Sequence, residues 1–404
     1  MKILSKSQRL ANVRYDVRGP VVQEALRMEA AGESIIKLNI GNPAAFGITA
    51  PESTLDAIGR DFRQYQAYSD SKGLMCARET IAAYAAKKGI EGVTPASVYT
   101  GNGVSELIRL CMEALVDAGD EVLVPSPDYP LWTASVSMCG GKAVHYICDE
   151  RSSWYPDTDD IESRITPNTK AIVIINPNNP TGAVYPEEIL QKIAGIAERH
   201  GLIIFADEIY DRLLLNERKH ISIASLAKNT LCITMNGLSK SHMVCGYRVG
   251  WMTISGDTSG AEDLIEGIDM LANMRLCSNV PGQASIVEAL SGSGRADRYF
   301  IPGGRIYEQV GTAYRMLCGI PGIHAVKPDA AFYIFPGIDT EMYNIESDES
   351  FAYDLLKKKK VLIVPGSGFN WNTRGYFRVV CLPDEKTLVE AISRLGEYLQ
   401  EKRS

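Results

Sequence analysis

Between residues 98 and 254 the chain alternates short, mostly apolar runs with helical patterns. Runs at 98–100, 121–124, 143–147, 171–175, 202–206, 231–235 and 249–254 read as strands. Strands that are apolar throughout have no face to give to water. With helices between them they predict an α/β fold, a largely parallel sheet buried on both faces. Helices are expected after the turn at 101–103, at 130–139, and at 187–199, where Gly201 stands just past the end. Upstream, 21–31 reads as a helix stopped by Gly32, 34–39 as a strand, and 55–62 and 74–88 as helices. A long helical stretch at about 261–290 closes the alternating part. Beyond it, helices at 305–318, 348–359 and 384–400 mix with strands at 323–326, 332–335, 361–364 and 377–381, the texture of a smaller α+β domain. A chain of 404 residues exceeds one small core, and two domains are expected. The N-terminal residues are too few to fold alone, so they are expected to join the C-terminal part. The division is a large domain at 49–285 and a small domain at 1–48 plus 286–404.

Bulk properties exclude some classes. A net charge of -7 argues against a nucleic-acid surface or an anionic membrane, since both need clustered cations. The basic run Lys357–Lys360 reads as a solvated helix face. No apolar run approaches the length of a membrane span, and the opening MKILSKSQRL lacks the apolar centre of a signal peptide. Nine cysteines are scattered singly with no CxxC pair, which suits reduced thiols in a cytoplasmic protein. Five isolated histidines show no metal-ligand spacing, and no metal site is expected.

Ligands of open α/β sheets sit beyond the carboxyl ends of the strands. After 98–100 comes GNGVSE, opening a helix with Gly103, Val104 and Ser105. After 171–175 comes NPNNPTG, which contains Asn179. After 202–206 comes Asp207, with Tyr210 three residues on. After 231–235 comes NGLSKSHMVCGYRVG, with Lys240 and, eight residues later, Arg248. A lysine in an apolar, Gly-rich turn attacks a carbonyl when desolvation and a nearby cation favour its free amine. It is equally a snorkelling lysine beside a structural ion pair. Gly103 can be only a tight turn, Asp207 only a helix cap, and NPNNPTG only a Pro-rich loop. Taken together, the four strand ends match the needs of a phosphorylated pyridine aldehyde. Lys240 would bond the aldehyde, and Asp207 would keep the pyridine nitrogen protonated. Asn179 and Tyr210 would hydrogen-bond the ring oxygen. Arg248, the helix start at 103–105 and Ser239 would hold the phosphate.

NPNNPTG, ADEIY and SKSHMVCGYRVG, in that order and spacing, resemble the class I/II aminotransferases of the fold-type-I pyridoxal-phosphate enzymes. The likeness extends over nearly the whole chain. Tyr68 through Gly73, with Arg78, resembles the segment whose tyrosine reaches the phosphate of the neighbouring subunit, which implies a homodimer. Pro127-Asp128-Tyr129-Pro130 resembles the loop whose aromatic ring stacks on the pyridine. Arg378 resembles the arginine that grips the substrate α-carboxylate, and Gly41 the turn that touches the same group, with Asn179 beside them. A narrower likeness, to bacterial alanine aminotransferases, rests on RYDVRGPV, NIGNPAAFG, SPDYPLWTASV, VIINPNNPTGAVY and MRLCSNVP. It implies ping-pong transfer between alanine and 2-oxoglutarate. It also places Tyr15 in a segment covering the substrate, with a core-packing tyrosine as the alternative.

The chain departs from that pattern at Gly237, where many relatives carry a hydroxyl three residues before the lysine; Ser239 is the candidate replacement. Arg275 lies one residue off the position of the second arginine of dicarboxylate-specific members and is not assigned to a substrate, while Asn279 is expected near the partner's site. Three rivals stand beside this reading. They are a carbon–sulfur lyase on the same scaffold, a nicotinamide dehydrogenase lacking the third glycine of its fingerprint, and a ligand-binding protein without catalysis.

Overall fold

The computed structural model describes residues 5–10, 13, 19–60, 62–291 and 296–403. Four elements come first: α1 (Pro20–Ala30), β1 (Ile36–Lys37), α2 (Glu52–Arg60) and α3 (Met75–Lys87). The alternating part follows as β2 (Val98–Asn102), α4 (Val104–Leu115), β3 (Glu121–Ser126), α5 (Leu131–Met138), β4 (Lys142–Asp149), β5 (Tyr155–Pro156), α6 (Thr158–Ser163) and β6 (Thr169–Ile175). It continues with α7 (Glu187–His200), β7 (Ile203–Asp207), β8 (Cys232–Gly237), α8 (Leu238–Ser241), β9 (Val249–Ser255), α9 (Glu262–Met274) and α10 (Val280–Ser291). The rest is α11 (Arg305–Cys318), β10 (Ile323–His324), β11 (Tyr333–Ile334), β12 (Gly337–Ile338), α12 (Asp348–Lys359), β13 (Val361–Leu362), β14 (Val364–Pro365), β15 (Phe377–Val380) and α13 (Glu385–Arg403).

Eight strands form one sheet in the order β2-β9-β8-β7-β6-β3-β4-β5. From β8 to β4 neighbours are parallel. β9 is antiparallel to both β2 and β8, and β5 to β4. The reversal of β9 follows from its short link to β8, residues 238–248, which holds no crossover helix long enough to return the chain for parallel pairing. The carboxyl ends of β2, β6, β7 and β8 and the amino end of β9 therefore share one edge. Burial on both faces is visible in β6: Ile172 and Ile174 enter one core, Ala171, Val173 and Ile175 the other.

The remaining strands form small sheets. β1 pairs in parallel with β13, and β11-β15-β14 form an antiparallel triple. Val21, Ala25 and Met28 of α1 share a core with Ile306, Val310, Leu355 and Leu395, so the N-terminal helix does pack with the C-terminal part. Residue 285, the expected division, falls inside α10, which packs against α2 and α3. The helical stretch expected at 261–290 is two helices. Pro281 cannot sit inside a helix but suits its first turn, and Leu276 bends the link with φ 75°.

Of the run Lys357–Lys360, Lys357 and Lys358 are exposed, as expected of a solvated face, and Lys359 and Lys360 are half-buried; three of the four pair with acids of neighbouring helices and turns. Lys357 pairs with Glu24 of α1 at 2.8 Å, Lys359 with Glu401 of α13 at 2.7 Å, and Lys360 with Glu33. All nine cysteines are unpaired. Among the described residues no helix is long and apolar enough to cross a membrane.

One cluster of acids and a histidine, Glu208, Asp211 and His220, comes together behind the strand ends. The ammonium of Lys88, just past α3, bridges its two carboxylates. Lys88 pairs with Glu208 and, at 2.7 Å, with Asp211. Tyr84 donates to Asp211 at 2.7 Å, Asn236 to Asp211 at 2.8 Å, and Ser222 to Glu208 at 2.6 Å. Burial alone would raise the Asp211 carboxyl, but Lys88 and its other partners outweigh it and hold it below its ordinary value. Lys88→Met leaves two buried carboxylates without their cation and is expected to cost about 3–5 kcal/mol of stability. Urea denaturation checks this; an unchanged midpoint would mean the cluster does not stabilise the fold.

Candidate active site

Three glycines lie side by side at the sheet edge. Gly250 of β9 is in register with Gly101 of β2 and Gly237 of β8. A Cβ at Gly250 would lie 2.6 Å from the Val104 amide nitrogen and 2.7 Å from the Gly103 carbonyl carbon. The missing side chain thus lets the start of α4 settle onto the sheet. Gly103 caps that helix at φ 80°, a backbone state open to glycine. The Val104 and Ser105 amides, in the first turn, have no acceptor within the helix and point its positive end outward. Arg248 stands against this helix start: a Cβ on Gly103 would collide with its guanidinium. The guanidinium donates to Cys245 O at 2.9 Å and Asn102 O at 3.3 Å. Its hydrogen bonds thus hold it beside the helix start rather than on Lys240. Arg248 itself adopts the left-handed φ of 53°, braced by Asn279, whose amide donates to Tyr247 O at 2.8 Å and Arg248 O at 3.2 Å.

Lys240 lies on the single turn α8 directly beyond β8. It is half-buried, and its Nζ donates to Gly41 O at 2.6 Å and lies 3.6 Å from Cys245 Sγ. Cys245 in turn donates to Ser239 O at 2.9 Å. Gly237 could not carry the hydroxyl side chain expected from relatives without local movement, because a Cβ there would lie 2.6 Å from Val249 O. The β9 backbone fills that space.

Asp207 ends β7 and is buried. Its carboxylate accepts two long bonds, from Trp132 Nε1 at 3.3 Å and from the Ile209 amide at 3.3 Å. Among the described residues no cation pairs with it. Burial pushes its pKa up to about 6, against the pull of Trp132 and Ile209. A buried carboxylate so weakly compensated favours a cationic or N–H-bearing partner.

Arg378, on β15, is buried between two aromatic rings, with its guanidinium 4.6 Å from the Tyr333 ring centre and 4.7 Å from that of Phe369. It donates to Asn179 Oδ1 at 3.0 Å and Asn39 O at 2.8 Å. The Tyr333 hydroxyl meets Tyr210 Oη at 2.9 Å. The same hydroxyl occupies the space a Cβ on Gly41 would need. Gly41, Asn179, Tyr210, Lys240 and Arg378 are thereby linked through direct contacts, with Tyr333 at the centre. Sequence reading passed over Trp132, Tyr333 and Phe369. Trp132 follows Tyr129 by three residues in the PDYPLW loop, and an aromatic one helical turn from a site residue was the available signal.

Tyr129 is half-buried at the start of α5 and packs against the adjacent core. Ser239 is half-buried beside Lys240. Tyr68 stands apart from these residues with 79% of its surface exposed. Tyr15 lies outside the described residues. Arg275 is committed to structure: it pairs with Glu106 at 2.6 Å and donates to Ser71 O at 2.7 Å and Thr100 O at 3.2 Å. This agrees with leaving it unassigned to a substrate.

The donor set fits the pyridoxal phosphate that the resemblance implies. Asp207 offers a carboxylate lacking a cation, Lys240 an amine, and the α4 start with Arg248 a cradle for an anion. Comparison with known proteins agrees in extent. The sequence pattern of the family "Aminotransferase class I and II" matches residues 33–395. The glutamate-pyruvate aminotransferase AlaA of Haemophilus influenzae is 53% identical over 403 residues, covering 100% of each chain. The alanine aminotransferase of Mycobacterium bovis is 50% identical over 399 residues, 98% of this chain and 93% of that protein. A crystal structure of an aminotransferase from Escherichia coli superimposes with a TM-score of 0.97 at 51% identity, covering 99% of both chains.

Proposed function

The chain belongs to the class I and II aminotransferases, and from that premise we propose that it transfers an amino group between alanine and 2-oxoglutarate with pyridoxal 5'-phosphate as cofactor. The observation that carries the reading is the junction of Lys240 with Gly41, Tyr333 and Arg378. It links an amine, through Gly41 and Tyr333, to a buried arginine that meets an asparagine and two aromatic walls. The relatives' names support alanine and glutamate as the amino acids.

The bound cofactor supplies an aldehyde to carry the amino group and a ring that accepts electrons from the substrate carbon. Lys240 would hold the aldehyde carbon through its Nζ, and as a free amine the same Nζ would move the α-proton of the substrate. Asp207 holds a proton at the ring nitrogen. Asn179 and Tyr210 would hydrogen-bond the ring oxygen, and Tyr129 would offer its aromatic ring to the pyridine. Arg248, the amides at 103–105 and Ser239 bind the phosphate. Arg378 takes the substrate α-carboxylate on its planar fork, with Gly41 and Asn179 beside it. In this reading the protein is a cytoplasmic homodimer, and Tyr68 reaches the partner's phosphate site; its exposure supports that role. The same reading keeps a large domain and a small domain built from both termini, with the division placed after α10 rather than inside it at 285.

The test is pyruvate production by the purified, cofactor-loaded protein given L-alanine and 2-oxoglutarate, measured with lactate dehydrogenase. Pyruvate that appears only when both are present supports transfer. Pyruvate released from a sulfur-containing amino acid with no acceptor would instead identify a lyase. No pyruvate from alanine, with turnover of another amino acid, would overturn the substrate assignment.

A further inference from the structure

Asp128 is fully buried, one residue before Tyr129, and the roles given above leave it unused. It meets a segment 242 residues away in the chain: Asn370 Nδ2 donates to Asp128 Oδ1 at 2.7 Å. The Asp128 amide donates to Phe369 O at 2.9 Å, and Ser126 Oγ donates to Asn370 O at 2.7 Å. Thr133, in the first turn of α5, donates to Asp128 Oδ2 at 2.9 Å and lies 2.9 Å from His145 Nε2. Phe369 is one of the two rings that enclose the Arg378 guanidinium. The hydrogen bonds therefore join the residue next to Tyr129 to the residue next to Phe369, across two loops that share no strand pairing. Anchored on a buried carboxylate, such a network is strong when complete and costly when one member is lost.

We propose that Asp128 and Asn370 are positioning residues, a polar latch that fixes the aromatic wall of Arg378 relative to the Tyr129 loop and so sets the grip on the substrate carboxylate. The proposal rests on the assignment of Arg378 to that carboxylate. The latch acts through Phe369: Asn370 carries the left-handed φ of 54° and ends the turn Gly366–Phe369, so losing its anchor frees the turn that presents the ring. Neither residue need touch the substrate.

The test uses full-length, cofactor-loaded protein and propionate, which offers a carboxylate but no amine to react. Its dissociation constant is read by calorimetry, with thermal midpoints alongside. Asp128→Ala and Asn370→Gly, the latter keeping the left-handed backbone accessible, are each expected to weaken propionate binding about tenfold. In the double variant the effects should add only in part, because both substitutions break the shared Asn370–Asp128 bond. Asp128→Asn keeps an acceptor for Asn370 and is expected to restore binding to within about twofold of wild type. The latch is refuted if the single variants bind propionate like wild type, whatever their thermal midpoints. It is also refuted if the two losses add fully, or if Asp128→Asn is as impaired as Asp128→Ala. Wild-type protein that binds no propionate would instead overturn the assignment of Arg378, and the latch with it.

Discussion

Lys240→Ala is expected to lower turnover of alanine and 2-oxoglutarate by at least ~10³-fold, since the variant loses both the nucleophilic amine and the group that moves the α-proton. The fold should survive. Lys240 is half-buried, and its polar partners are the carbonyl of Gly41 and the thiol of Cys245. Water can reach a half-buried site and satisfy that carbonyl, so no buried charge is stranded. Cofactor should still bind through Arg248, the α4 start and Asp207, which lie on other strand ends. The measurement pairs single-turnover rates with the visible absorption of the loaded protein. Added methylamine discriminates further: a small amine that restores part of the rate would place the defect in proton transfer. If Lys240→Ala transaminates normally, the proposed mechanism fails.

The sequence made these strand ends legible because their signals are local. An apolar run followed by glycine, proline or asparagine ends a strand in a turn whatever lies around it. That logic places Gly103, Asn179 and Lys240 at strand ends from the sequence alone, whereas Asp207 is marked only as the first charge after an apolar run. What it could not supply was pairing between distant segments. Trp132 and Asp207 are 75 residues apart, and nothing in the periodicity near either residue marks the other. Arg378 was recognisable by family likeness, whereas its two aromatic walls come from separate segments, one of which had read only as strand. The Lys88 cluster was hidden for the same reason: Lys88 stands at the end of the helical stretch 74–88, and its partners Glu208 and Asp211 are 120 and 123 residues away. Pro281, in contrast, was a readable local signal for the break between α9 and α10, and the surrounding helical spacing obscured it.

Arg378→Ala is expected to raise the KM for alanine by about 10²-fold, with a smaller effect on the rate at saturation. A charged, doubly donating contact contributes roughly 1.5–3 kcal/mol, and each 1.4 kcal/mol is a factor of ten. If the carboxylate is held equally in the bound substrate and at the transition state, the loss falls on KM rather than on kcat. The visible absorption of the loaded protein should be largely retained, because Asp207, Lys240, Arg248 and the α4 start gather at the edge of the eight-stranded sheet, whereas Arg378 lies on the β11-β15-β14 triple and touches the residues assigned to the ring through Asn179 and Tyr333. Arg378→Lys separates charge from geometry. Lysine keeps the charge but presents a point rather than a planar fork, and it lacks the flat surface that lies between Tyr333 and Phe369. It should recover little of the lost affinity. Recovery to near wild type would mean that charge alone suffices and that the aromatic enclosure does not orient the guanidinium. Loss of bound cofactor in Arg378→Ala, with alanine affinity intact, would place the arginine on the cofactor and remove it from the substrate.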